Sequence, residues 1–398
     1  MSHWSNERAT LRQGVTALTI CVTVTLFAGI ILGAMEGVLA ETPGLLVLVP
    51  SAIGMRGAIF GALAARLGTG MLTGQFTMTL RRGSFMAANI EAALVLSLVT
   101  AVATAGIAWG ASALFGLETI DVLQLVIVSS VGALIASAVV LGVTLLLART
   151  AEARSWDMDA IGTPVVSASA DISTLPALLL GVMLLGSTAV HIVLGGALIV
   201  AAVTAMVFGL RNPNPLTRRI LQESIPVLAY AAVMGVLAGT VLETRLETLV
   251  SEPALLVAVP PFIASSGALG GILSARLSSH LHLGLIAPAR APGAQAALEG
   301  SLTLLLGVAG FTVVGLATWA GAALFGITAP PAWQLLIGVV AGGLLATALL
   351  FLVAYYSATA SYRFGWDPDN SSIPIVTSSM DFLGILCLVI GISLVGFG

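Results

Sequence analysis

The stretch Pro43-Gly-Leu-Leu-Val-Leu-Val-Pro50 returns 210 residues later as Pro253-Ala-Leu-Leu-Val-Ala-Val-Pro260. Of the 26 positions from 43 to 68, 14 are identical in the second copy. The same spacing, without any shift, places Asp171 on Asp381, with matching tryptophan and proline positions before it. Shared apolar composition does not hold one register across such residue types, so the chain contains two homologous repeats.

The sequence around these repeats is strongly apolar. Hydrophobic residues make up 58% of the chain and charged residues 8%, whereas soluble domains carry about 25% charged residues. This composition is typical of a protein embedded in a lipid bilayer. The net charge is −3 and no basic run is present. Nucleic-acid binding is therefore not expected, because a phosphate-binding surface needs clustered cations.

Eleven apolar segments are long enough to cross the membrane, which takes about 20 residues of helix each. They lie at 15–40, 43–67, 86–115, 121–148, 161–186, 190–210, 226–242, 253–277, 299–325, 333–356 and 373–397. A single span must satisfy its backbone hydrogen bonds internally, which favours helices. We therefore predict an all-α polytopic membrane protein.

The order of the spans predicts how the repeats are oriented. Each repeat has five spans, and a five-span unit followed directly by its copy would leave that copy inverted. The segment 190–210 has no counterpart after the last span and serves as a linking helix. Two parallel repeats, over 1–186 and 226–398, are then joined by 187–225. They are expected to be related by a pseudo-twofold axis along the membrane normal, with the substrate path near it.

The arginines predict the orientation of the whole chain. Nearly all of them fall in loops on one side of the eleven spans, and only Arg245 falls on the other side. Arginine-rich short loops stay in the cytoplasm. We therefore expect a multi-pass protein of the cell membrane with a cytoplasmic N-terminus and an external C-terminus.

Two aspartates at equivalent depth are the strongest functional signal. Asp171 and Asp381 fall near the midplane of the fifth and eleventh spans, where a carboxylate costs at least about 2.5 kcal/mol. We predict them as metal ligands. Further residues are predicted to line the site: Ser167, Ser169, Thr377, Ser379, Gly57, Gly267, Asp159 and Asp369.

The stretches from Pro164 to Asp171 and from Pro374 to Asp381 are rich in hydroxyls and poor in strong helix formers, so local unwinding that frees backbone carbonyls is expected. Carboxylates, hydroxyls, carbonyls and water form an all-oxygen environment, which suits Mg²⁺. It suits zinc or copper poorly, because no Cys or His is nearby.

Some of these residues allow a second interpretation. Gly57 and Gly267 are also consistent with close helix packing. Asp159 and Asp369 could line the inner mouth of the path or stabilise helix N-termini through the helix dipole. Arg56 lies within a span and could neutralise a nearby carboxylate.

Two glutamates, Glu91 and Glu299, enter spans near the cytoplasmic side. They miss each other by two positions in the 210-residue register.

The chain resembles the membrane domain of MgtE-type magnesium transporters and the related solute-carrier magnesium transporters. The resemblance covers nearly the whole chain as two copies and is strongest in Asp-Pro-Asp-x-x-x-x-Pro-x-x-x-Ser-x-x-Asp, which ends at Asp381. It implies that Asp171 and Asp381 are the pore aspartates. The second span departs from the family, because Ala58 and Phe60 stand where relatives often carry Asn and Glu.

The expected function is transport of a divalent cation, most simply Mg²⁺, through a pore at the repeat interface. A sodium- or proton-coupled transporter of another cation or small solute would also use midplane carboxylates and remains an alternative. No enzymatic activity and no cofactor are expected, because no intramembrane nucleophile–base pair is evident. The partners are the cation and the lipid bilayer, and internal pseudo-dimer symmetry favours a functional monomer.

Overall fold

The computed structural model describes residues 8–81, 83–154, 158–186, 188–364 and 368–396. Within these ranges all regular elements are helices and no strand occurs. Among the described residues, eleven helices are long and apolar enough to cross a membrane, as predicted. In chain order the described helices are α1 (Arg8–Ala34), α2 (Glu36–Glu41), α3 (Leu45–Leu72), α4 (Phe85–Phe115), α5 (Val122–Arg154), α6 (Met158–Met183), α7 (Thr188–Leu210), α8 (Pro215–Glu243), α9 (Leu246–Ser251), α10 (Ala254–His282), α11 (Ala294–Phe325), α12 (Ala332–Phe364) and α13 (Pro368–Leu394).

Several helices extend beyond the apolar segments that predict them. The clearest case is α8, which begins at Pro215 although its apolar segment begins at 226. The Asn214 side chain accepts a hydrogen bond from the Leu216 N–H at 3.0 Å. On the exposed first turns Arg219 and Glu223 form an ion pair at 2.7 Å. The N-cap and the ion pair keep these polar first turns helical outside the hydrocarbon layer. A hydropathy pattern alone does not detect them.

One compact unit comprises residues 41–243. Its central element is α3, which packs against α4, α5, α6 and α8. The α3 side chains Ile59, Phe60 and Leu63 are almost fully buried in this unit. The linking helix α7 lies against α4, α5 and α8 and is the least buried of the described spanning helices. A peripheral place suits a helix that has no counterpart in the other repeat.

The other compact unit comprises residues 1–40 and 244–398. Here α10 has the role of α3 and packs against α1, α11, α12 and α13. The rings of Phe262 on α10 and Phe311 on α11 lie 4.6 Å apart between centroids. A Cβ on Gly342 of α12 would lie 2.6 Å from the Cys387 carbonyl of α13, so glycine is required for this close helix approach.

The two repeats exchange their first helices. In this structure α1 packs against α10 and α11 of the second repeat, and α8 packs against α3 and α4 of the first. A side chain on Gly29 would collide with the Val257 carbonyl, and one on Gly239 with the Val47 carbonyl. In both contacts one helix backbone approaches another, and the corresponding members of the two contacts are 210 residues apart.

The exchange separates packing units from sequence repeats. The predicted ranges 1–186 and 226–398 describe the duplication along the chain, whereas the packing units change over at Ala40 and at Glu243. The physical cause is that the glycine surface of each first helix fits the other repeat's central helix. Sequence identity between the repeats does not carry that information.

Candidate functional site

Asp171 and Asp381 lie on uninterrupted helices. α6 runs from Met158 to Met183 and α13 from Pro368 to Leu394 without a break at either aspartate. The expectation of local unwinding is therefore wrong. Pro374 removes one N–H donor from α13, which ordinarily disturbs a helix interior, yet α13 continues through it. The site can offer carboxylates and hydroxyls, but not the freed carbonyls of an unwound segment.

The hydroxyl groups near the aspartates donate to their own helices. Ser169 donates to the Val165 carbonyl at 2.8 Å, and Ser379 donates to the Ile375 carbonyl at 2.6 Å. These bonds satisfy the hydroxyls within the helix; bonds of this type do not strengthen a helix, so its continuity has another cause. The hydroxyl hydrogen of Ser169 is used in its bond to Val165, but its oxygen can still accept a hydrogen bond, for example from water bound to a cation.

Thr377 is held in the same way, by a bond of 3.0 Å to the Ile373 carbonyl. It lies one helical turn before Asp381, as Ser167 lies one turn before Asp171. Residues four apart share a helix face. In both α6 and α13 a hydroxyl oxygen and a carboxylate therefore line the same face.

The α3–α6 contact brings two of the predicted residues together. A Cβ built on Gly57 of α3 would lie 3.9 Å from the Ser167 hydroxyl oxygen of α6, an ordinary contact distance. Gly267 of α10 has no described atom within 4 Å of the equivalent point. Neither glycine is a close-packing position, so the packing interpretation is not supported. Gly267 leaves open space beside its helix, whereas a Cβ on Gly57 would contact Ser167 at an ordinary distance.

The inner pair of predicted aspartates cannot be placed. Asp159 and Asp369 belong to the first turns of α6 and α13, but their side chains lie outside the described residues. Among the described residues no three His, Cys, Asp or Glu side chains cluster closely enough to hold a metal ion.

Arg56 is the least expected charge in this region. It lies on α3, is 1% exposed, and its Nε and Nη1 atoms have no hydrogen-bond partner within the described part of the chain. An unpaired charge in an apolar environment is costly. The second repeat has Ser266 at the matching position, whose hydroxyl donates to the Phe262 carbonyl at 2.9 Å. The two halves therefore differ by one buried positive charge.

Sequence reasoning missed a pairing that both repeats share between their second and third helices. Arg276 of α10 binds Glu299 of α11 through Nε–Oε2 at 2.5 Å and Nη2–Oε1 at 3.2 Å. Arg66 of α3 donates to the Asn89 side-chain oxygen of α4 at 2.7 Å. Asn89 and Glu299 are 210 residues apart, so Asn89 is the repeat counterpart of Glu299. The sequence holds a signal for this pairing, because Arg66 and Arg276 are also 210 residues apart.

Glu91, by contrast, lies on the exposed side of α4, where it accepts a hydrogen bond from the Asn212 amide at 2.7 Å. Glu299 is 1% exposed, and the His280 ring lies 3.5 Å from its carboxylate. The arginine at this position therefore binds an amide side chain, Asn89, in the first repeat and a carboxylate side chain, Glu299, in the second. This contact joins neighbouring helices and lies apart from the aspartate positions along the chain.

Comparison with known proteins gives a match to each repeat separately. The sequence profile of the MgtE family, described as a divalent cation transporter, matches residues 49–182 and 259–391. Solute carrier family 41 member 2 of Homo sapiens is 24% identical over 435 residues, which covers 95% of this chain and 70% of that protein. The Xenopus laevis protein of the same name is 24% identical over 400 residues, covering 92% and 68%. No solved structure matches the chain.

Proposed function

Because the chain belongs to the MgtE family of divalent cation transporters, as its motifs predicted, we propose that it carries Mg²⁺ across the membrane and that Asp171 and Asp381 bind the ion. One observation carries the proposal: the family profile matches twice, and the aspartates fall at equivalent places in the last helix of each match. Both repeats have an aspartate at this position, although a carboxylate in a membrane span is energetically unfavourable. A shared role in one ion path explains why both copies remain.

The chemistry of the described residues supports a hard, hydrated cation. Mg²⁺ prefers oxygen ligands, keeps several of its waters, and is usually bound through one or two carboxylates. The Ser169 hydroxyl oxygen can accept a hydrogen bond from such a water. The open space beside Gly267 of α10 can hold a water bound to the ion. The proposal therefore needs no complete cage of protein ligands.

The path is proposed to run between the two repeats, with the N-terminus in the cytoplasm and the C-terminus outside. This part rests on the parity of the spans, on the arginine distribution and on the resemblance to the family. A single chain with two half-sites would then work as a monomer.

The test is Mg²⁺ flux into proteoliposomes that contain the purified full chain. An ion pair at about 4 Å contributes about 4 kcal/mol per unit charge at an effective dielectric constant of about 20. Removing either carboxylate, as Asp171→Asn or Asp381→Asn, should therefore lower the flux at least about tenfold. Asn keeps an oxygen but lacks the charge that offsets dehydration of the ion. Exposed Glu152→Gln removes one negative charge elsewhere and serves as the control.

Two outcomes would revise the proposal. If the double variant Asp171→Ala, Asp381→Ala still carried Mg²⁺ at the unmodified rate, the ion path would lie elsewhere. Repeating the flux measurement with and without an inward or outward sodium gradient tests the coupled alternative. A flux that follows the sodium gradient would identify an exchanger that uses the same aspartates.

A further inference from the structure

A second candidate binding site lies at the end of α12, away from the aspartates along the chain. A cavity of about 380 Å³ opens between this helix end and the segment 283–293. Its lining includes Ala289, Arg290, Tyr356, Thr359, Arg363 and Phe364. None of these is a residue of the proposed ion site.

Specific hydrogen bonds hold the walls of the cavity in place. The Tyr355 hydroxyl lies 3.1 Å from the Ala289 carbonyl oxygen and 3.0 Å from that of Ala291, so its hydrogen is shared between them. Arg363 donates through Nη2 to the Pro288 carbonyl at 2.5 Å. Three backbone carbonyls of the segment are thus tied to the last turns of α12. These hydrogen bonds fix the position of the segment that forms one wall of the cavity.

The polar groups of the cavity fit a phosphate. Arg290 and Arg363 supply two guanidinium groups, which match phosphate geometry through paired N–H donors. Thr359 is 4% exposed, and its hydroxyl oxygen has no hydrogen-bond partner among the residues that the structure describes. A ligand oxygen at this place would satisfy that hydroxyl. The remaining walls are apolar and suit a glycerol backbone or the first part of an acyl chain.

The position of the cavity favours a lipid. α12 is long and apolar enough to span the membrane and ends at Phe364, so we expect the cavity beside its last turns to lie near headgroup level. Tyr356 and Phe364 at its edge are 52% and 70% exposed, as expected of interfacial aromatics. The arginine distribution assigns this end to the cytoplasmic side, where anionic lipids attract basic pockets. We propose that the cavity binds the phosphate of an anionic phospholipid headgroup.

The exact 210-residue register does not repeat the two arginines of this arrangement; in the first repeat Arg81 and Arg154 each lie one position further along the chain. Leu80 and Ala153 stand at the positions equivalent to Arg290 and Arg363. The duplicated ion path would need matching residues in both halves, whereas a lipid site needs only one. The cavity shares no lining residue with the proposed ion site, and Leu80 and Ala153 supply the substitutions for a matched test.

The experiment uses the purified, delipidated full chain in detergent. Binding is measured by the shift of its melting temperature with added phosphatidylglycerol, phosphatidylcholine or inorganic phosphate, and by native mass spectrometry. Phosphatidylglycerol should stabilise the protein more than phosphatidylcholine does. Arg290→Leu and Arg363→Ala should each weaken phosphatidylglycerol binding about fivefold, and together about 30-fold, at about 1 kcal/mol for each basic residue. Arg149→Gln with Arg218→Gln is the charge-matched control and should keep full binding.

Arg290→Leu is the decisive single variant, because Arg363 also holds the neighbouring segment through Pro288. Thr359→Val should weaken binding without changing the charge. If inorganic phosphate stabilised the chain as well as phosphatidylglycerol does, the ligand would be a free anion and the lipid assignment would fail. Equal phosphatidylglycerol binding by the unmodified chain and Arg290→Leu would overturn the site. Neither result depends on whether Mg²⁺ is transported.

Discussion

The exchange of first helices can be tested at Gly235, which lies on α8 against α3. A Cβ on Gly235 would stand 2.6 Å from the Ser51 Cα and 2.9 Å from its Cβ. Carbon atoms in contact lie about 3.5–4.0 Å apart, so Gly235→Ala forces the two helices apart by about 1 Å. No side-chain rotation relieves the collision, because the nearest atom belongs to the backbone. Overpacking of this kind costs about 1–3 kcal/mol.

The expected result is a net loss of stability. Alanine gains about 1 kcal/mol of helix propensity over glycine, which offsets only part of the collision. Gly142→Ala in α5 is the matched control, since no described atom lies within 4 Å of a Cβ built there. The free energy of unfolding of both variants is measured by denaturant titration in detergent. If Gly235→Ala were as stable as Gly142→Ala, the packing of α8 against the first repeat would be refuted.

Three further predictions concern buried charge and topology. Arg56→Ser, which copies Ser266, should raise the free energy of unfolding by about 1–3 kcal/mol, because it removes two buried N–H groups, Nε and Nη1, that have no partner among the described residues. A loss of stability in the same titration would contradict this prediction. Glu299→Gln should lower the free energy of unfolding by about 2 kcal/mol. This is less than the cost of breaking a fully buried ion pair, because the Arg276 side chain is 24% exposed. An unchanged free energy of unfolding would contradict a structural role for this pair. Cysteines introduced near the two termini should react with an impermeant reagent from opposite sides of the membrane, and labelling from one side would contradict the predicted orientation.

Much of the candidate site follows from the sequence alone. The 210-residue register selects Asp171 and Asp381, because only positions under a common constraint keep an aspartate at one depth in both copies. The local conformation does not follow in this way. Proline and hydroxyl residues near each aspartate suggest unwinding, yet the hydroxyls donate to carbonyls one turn earlier and the helices continue. Whether a serine breaks or supports a helix depends on its rotamer, which composition does not specify.

The sequence by itself determined the membrane class, the eleven spanning helices, the duplication and the family. The spanning helices follow from the length of the apolar segments, which the thickness of the bilayer sets. The duplication follows from the constant 210-residue spacing of matching residues. Only the tertiary structure decided which helices share a packing unit, and that the Nε and Nη1 atoms of Arg56 are buried without a partner among the described residues. These depend on contacts between residues far apart in sequence. The exchange of α1 and α8 depends on how closely the glycine surfaces of these helices fit α10 and α3. Because the two repeats are similar in sequence, the sequence does not show which repeat each first helix packs against.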